Sequence, residues 1–183
     1  LILDNDLCKP TKVVALSNVF YKAVEGKYYV GQTEIVSSDG LNIWGALYNP
    51  PESGVNIFVN VLTVTNLSNS SFLAEIWLNT DFPGKGIRSG KFTSTNTIPC
   101  LETTPRGKII YSNDGVCNHP EGGVNIYDRM IPVDSTIVTE EDSKFIVPPG
   151  GCYGAFVKAK SNQHLKAIFA FGWSEESIKS CKS

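Results

Sequence analysis

Short β-branched and aromatic runs alternate with turn clusters along most of the chain at intervals of roughly ten residues, the pattern of a sandwich or barrel. Successive strands read as Lys27 to Thr33, Asn42 to Tyr48, Val55 to Asn66, Phe72 to Asn79 and Lys108 to Tyr111. They continue as Val124 to Met130, Thr136 to Thr139, Lys144 to Val147, Cys152 to Ala159 and Leu165 to Trp173. The predicted fold is all-β, a jelly-roll-like antiparallel β-sandwich of about 8–10 strands with an N-terminal extension. In the longest run, Val55, Ile57, Val59, Val61, Thr63 and Thr65 share one face by the two-residue period, while Phe58, Leu62 and Val64 take the other. Such a strand is expected to be buried on both faces.

Three regions break the pattern. Residues 1–16 form an arm that ends in the apolar run Val13-Val14-Ala15-Leu16, and Leu1 to Pro10 has no long period. Residues 17–176 are the sandwich and 177–183 a polar tail, with a helical turn allowed only around Ser174 to Lys179. Asp81 to Pro105 holds three prolines and few core-sized residues, so it reads as a long flap rather than ladder.

Two segments repeat. Asn49 to Phe58 and Asn118 to Tyr127 share Pro-Glu-x-Gly-Val-Asn-Ile-aromatic at an offset of 69 positions. Each is a Pro-Gly turn delivering a strand whose first inward residues are Val and Ile, in equivalent places of two halves or simply as two similar tight turns.

Composition narrows the function classes. The 183 residues, 42% hydrophobic and 19% charged, suit one globular domain. No apolar run approaches the roughly 20 residues that cross a bilayer as a helix. A formal net charge of −2 offers no field for phosphate backbones, so nucleic acid is not an expected partner. The segment Leu1-Ile2-Leu3-Asp4-Asn5-Asp6 has no secretory signal, which implies a removed leader or another export route.

Candidate chemistry is sparse. His119 and His164 lie in or beside polar turns, without a carboxylate or cysteine at metal-ligand spacing, and no nucleophile elbow is present. Neither a catalytic residue, a metal site nor a cofactor is assigned. Glu140, Glu141 and Asp142 lack a calcium-loop spacing and read as a solvated turn. Asn66 and Asn69 head glycosylation triplets but are read as turn residues. Trp44, Tyr48, Trp77, Phe82, Tyr127 and Trp173 are core aromatics by default. Trp44, Trp77 and Trp173 are the candidates for a sugar-stacking platform if carbohydrate is a partner.

The five cysteines, Cys8, Cys100, Cys117, Cys152 and Cys181, form no C-x-x-C pair. They are either packed thiols or, given an odd count and the polar settings of Cys8 and Cys181, partners in intermolecular bonds. An arm carrying Leu1, Ile2, Leu3, Leu7 and Cys8 would add to an exposed edge of a neighbour. Cys8 and Cys181, with Cys100 or Cys117 as receiving sulfur, are the intersubunit disulfide candidates. Repeated head-to-tail contact of this kind gives a filament unless it closes into a ring, so the expected partner is the chain itself.

Several phrases, Tyr29-Val30-Gly31-Gln32-Thr33-Glu34, Trp44-Gly45-Ala46-Leu47-Tyr48-Asn49-Pro50-Pro51, Gly123-Val124-Asn125-Ile126-Tyr127-Asp128-Arg129, Phe145-Ile146-Val147-Pro148-Pro149-Gly150-Gly151 and Phe171-Gly172-Trp173, resemble an uncharacterised family of small proteins from spore-forming Firmicutes. That resemblance spans roughly residues 27–176 and implies no activity. A jelly roll with a cysteine-bearing arm is also similar in architecture to the subunits of bacterial endospore appendages, which are disulfide-linked fibres. The expectation is a structural, non-enzymatic, self-assembling subunit of a fibre, appendage or coat outside the cell or on a spore surface. A carbohydrate-binding or adhesive module is the alternative.

Overall fold

A computed structural model describes residues 15–98, 103–160 and 162–178. One short helix, α1 (Asn18–Val24), precedes twelve strands: β1 (Tyr28–Gln32), β2 (Val36–Asp39), β3 (Ile43–Tyr48), β4 (Val55–Asn66), β5 (Phe72–Leu78) and β6 (Gly86–Arg88). The rest are β7 (Lys91–Ser94), β8 (Lys108–Ser112), β9 (Val124–Ile131), β10 (Ser135–Val147), β11 (Cys152–Lys158) and β12 (His164–Ser177). The strands form two antiparallel sheets. The first runs β10-β4-β12-β1-β7, with β2 also beside β12, and the second runs β6-β8-β3-β11-β5-β9. With β2, β6, β7 and β8 set aside, β1-β12-β4-β10 faces β3-β11-β5-β9, and the chain alternates between sheets except at β5 to β9. That order is a jelly roll.

The four remaining strands are additions at the rims. β1 and β2 share one side of β12, taking Ala170–Ser174 and His164–Ala167 of it respectively. The flap contains ladder after all: β7 extends the first sheet beyond β1, while β6 joins the second beyond β8. Each is a short, polar edge strand, and Ile87 and Phe92 alone are too few to register as a two-residue period.

Between the sheets lie Leu47, Ile57, Leu62, Phe72, Tyr153, Phe169 and Trp173, all fully buried or nearly so. In β4 the buried set changes phase. Val55, Ile57 and Val59 are buried, then Leu62, Val64 and Asn66, while Val61, Thr63 and Thr65 turn outward. The expected single face therefore breaks at Asn60, and the strand is buried on one side at a time rather than on both faces as its composition suggested. Val59 pairs with Trp173 and Phe145, Val61 pairs with Gly172 and Glu140, and Asn60 has no partner in either ladder. This β-bulge rotates the second half of the strand by one residue. Opposite it, β10 loops out from Glu141 to Lys144, with Asp142 and Ser143 at φ 47° and 63°. The segments expected as Thr136 to Thr139 and Lys144 to Val147 are thus one interrupted strand.

Two ends differ from expectation. Ser17 caps α1, its hydroxyl accepting the Phe20 N–H at 3.2 Å. At the other end Gly26 adopts φ 70°, Gly26 N–H bonds Ala23 O and Lys27 N–H bonds Lys22 O, which is a Schellman ending. The helix is only seven residues long and buries no side chain, so its apolar period was too brief to stand out. At the C-terminal end, Ser174 to Ser177 continue β12 instead of forming a helical turn. Glu175 faces the interior and is buried, its carboxylate accepting the N–H groups of Arg106 (3.0 Å) and Gly107 (2.9 Å) and the Trp173 indole (3.0 Å). These bonds hold the segment extended.

The repeated segments start β4 and β9, in different sheets. Their common element is the turn glycine, Gly54 at φ 67° and Gly123 at φ 64°, a conformation that favours glycine. The burial is not shared. Val55 and Ile57 are buried, whereas Val124 is exposed because β9 is an edge strand. The two copies are similar turns with unlike strands.

Candidate functional site

The two sheets present very different outer faces. On the second sheet one cross-strand row runs Trp44–Phe156–Glu75–Asp128 over β3, β11, β5 and β9. Segments 80–85 and 113–122, the two ends of the long connection between β5 and β9, lie over that row and are tied together by paired Asp81 and Glu121 backbone bonds of 2.9 and 3.1 Å. Phe82 stacks on Trp44 at 4.8 Å, and the Trp44 indole N–H donates to Pro83 O at 2.9 Å. His119 sits edge-on to Phe156 at 5.0 Å and to Trp77 at 5.4 Å. Its Nε2 lies 2.7 Å from Glu75 Oε2, which also accepts the Trp77 indole N–H at 3.2 Å. The sequence spacing hid this carboxylate, because Glu75 reaches His119 only across the fold. The arrangement works as a latch: it satisfies Glu75 and holds the 113–122 segment against the sheet.

The sugar-stacking platform does not form. Trp173 is enclosed between the sheets, Trp44 is covered by Phe82, and only Trp77 reaches the surface in part. His164 opens β12, where its Nδ1 meets the exposed Asp39. Among the described residues no group of three or more His, Cys, Asp or Glu is placed to hold a metal ion.

The acidic turn is only half solvated. Glu141 is buried in the β10 bulge and accepts the Tyr153 hydroxyl at 2.9 Å. Burial, followed by the Glu141 charge, raises the Tyr153 phenol far above its ordinary range. Asn60 Nδ2 donates to Ser143 Oγ at 2.9 Å across the same bulge. Asn66 is also structural, its amide donating to the carbonyls of Ser70, Ile131 and Pro132.

Of the cysteines, Cys8, Cys100 and Cys181 lie outside the described residues, as do Leu1, Ile2, Leu3 and Leu7 of the arm. Cys117 is exposed at the surface. Cys152 is buried, its thiol donating to Thr80 O at 3.2 Å, and burial pushes its pKa up, so it is a packing thiol.

The first sheet carries no such cover among the described residues. Its outer face presents Phe58, Thr63, Thr65, Thr136, Val138 and Ile146, with Val138 60% and Ile146 53% exposed. Within it Tyr28, Val30, Val61, Thr63, Ala170 and Gly172 line an open, uncharged groove of about 350 Å³. The flanks differ as well. Arg88 lies over Phe92 and Ser89 Oγ donates to Gln32 O, which closes the sandwich on the β6/β7 side. On the other side β9 and β10 are both edge strands, with Val124, Met130 and Val138 exposed.

Strand order and surfaces together define a jelly-roll sandwich that, among the described residues, has one sheet covered, one sheet bare and one flank open. Over residues 1–181 the chain matches the model of a family of unknown function, DUF6143, and it belongs to that family. No curated protein and no solved structure matches it.

Proposed function

We propose that this chain is a structural, self-assembling subunit of a fibre, appendage or coat on a spore or cell surface. The observation that carries the reading is the open flank. Among the described residues β9 and β10 leave two edges unpaired and place exposed Val124, Met130 and Val138 on or beside them, an arrangement that invites strand addition. The Glu141 to Lys144 bulge confines regular addition on β10 to the run Ser135 to Glu140. In this reading residues 1–16 of one copy supply the added strand, and Cys8 is a candidate for a disulfide to a neighbouring copy. The resemblance to proteins of spore-forming Firmicutes points the same way. The carbohydrate alternative loses its basis with Trp44 and Trp173 enclosed.

Negative-stain electron microscopy of the purified chain tests it, with and without reductant and beside a variant with Leu1, Ile2, Leu3 and Leu7 replaced by Ser. Filaments or rings that depend on those residues are expected. Uniform single particles under every condition would sink the reading.

A further inference from the structure

The uncharged groove on the outer face of the first sheet is not used by an edge-addition joint. We propose that it is the seat for the apolar head of a second copy's arm, residues 1–7, once the following stretch of that arm has engaged the β10 edge. The inference rests on the assembly reading above and names where the arm ends its path.

Three observations support it. The first is continuity: Val138 at the β10 edge, Thr63, Ala170 and Gln32 form one outward row across β10, β4, β12 and β1, so the edge leads directly to the groove. Two strand spacings, about 10 Å, separate the edge from the middle of that row. The second is reach: residues 1–14 precede the described chain, and seven extended residues alone span about 23–25 Å. The third is pattern. In extended form Leu1, Leu3, Asn5 and Leu7 fall on one side and Ile2, Asp4 and Asp6 on the other, which sets three leucines toward an uncharged groove and both carboxylates toward water. Pro10 separates this head from the Val13-Val14-Ala15-Leu16 run, and proline is tolerated where a strand passes an edge.

Disulfide mapping tests the seat. Thr63→Cys is introduced into the full chain, with exposed Lys85→Cys on the closed β6/β7 side as control, and the oxidised species are mapped by mass spectrometry. A bond between native Cys8 and position 63 of another chain is expected, in excess of the control on the order of tenfold, because docking raises the local thiol concentration. A bond formed within one chain, or no excess over Lys85→Cys, would overturn the seat. Ala170→Arg supplies a second reading, with circular dichroism verifying the fold. It is expected to abolish assembly at protein concentrations where the unmodified chain assembles. Assembly unchanged by Ala170→Arg but lost on replacing the arm leucines with Ser overturns the groove and leaves the arm joint standing. If the unmodified chain does not assemble at all, the underlying reading fails, and the groove with it.

Discussion

The outer faces of the two sheets are made from similar strands yet have opposite characters. On the second sheet Trp44 and Phe156 point away from the main core and are nevertheless buried, because the β5–β9 connection folds back over them. On the first sheet Val138 and Ile146 occupy comparable outward positions and remain in water. Burial here is set by what the connection covers, since each outward row contains apolar residues. A covered face adds to stability, while a bare one leaves apolar surface to be covered by association.

The contrast can be broken most strongly at Trp44. Trp44→Ala removes the Phe82 stack and the bond to Pro83, and a loss of about 3–5 kcal/mol in urea unfolding is expected. An equal loss at Ile146→Ala would erase the distinction. Next comes Tyr153→Phe, which leaves the buried Glu141 carboxylate that anchors β10 without its donor, at a cost of about 1–3 kcal/mol near neutrality. The same variant sharpens the pH profile. Burial raises the phenols of Tyr28, Tyr29, Tyr111 and Tyr153 in the folded state. Their contribution is therefore fully present below the unfolded value near pH 10 and is lost as pH rises beyond it. Thermal melts above pH 10 are expected to fall less steeply in Tyr153→Phe.

A smaller effect, about 1 kcal/mol, is expected for His119→Ala, which opens the latch to Glu75. Limited proteolysis is expected to cut its 113–122 segment sooner than in the unmodified chain. Smallest for stability is Val138→Ser, within about 0.5 kcal/mol by chemical denaturation. Its effect is expected in assembly instead, as a higher protein concentration needed for particles in light scattering.

The patterns in β3, β5, β11 and β12 made the sandwich legible, because each buries at least one face and keeps its two-residue period. The phase change in β4 was not legible, since Asn60 looks like an ordinary outward polar residue until β10 and β12 are placed beside it. The latch was hidden for a related reason: Glu75 and His119 are 44 positions apart and meet only because the connection folds back. Trp44 and Trp173 offered an aromatic pattern compatible with a surface platform, and only packing against Phe82 and Tyr29 settles where they belong. The arm's apolar residues were visible from the start, and the groove for which they are proposed was not, because three strands distant in sequence combine to form it.

One feature of the first sheet bears on how the chain is made. β12, the last of the twelve described strands in chain order, is not at the rim but in the middle, with β4 on one side and β1 and β2 on the other. Until it is synthesised, each of those strands shows an unpaired edge, and Leu62 and Val64 have no sheet to complete. The nascent chain therefore carries open strand edges of its own throughout elongation, and a premature stop before His164 would leave a product prone to pair with any neighbour. Insertion of β12 is the event that turns a polypeptide with several open strand edges into a closed sheet.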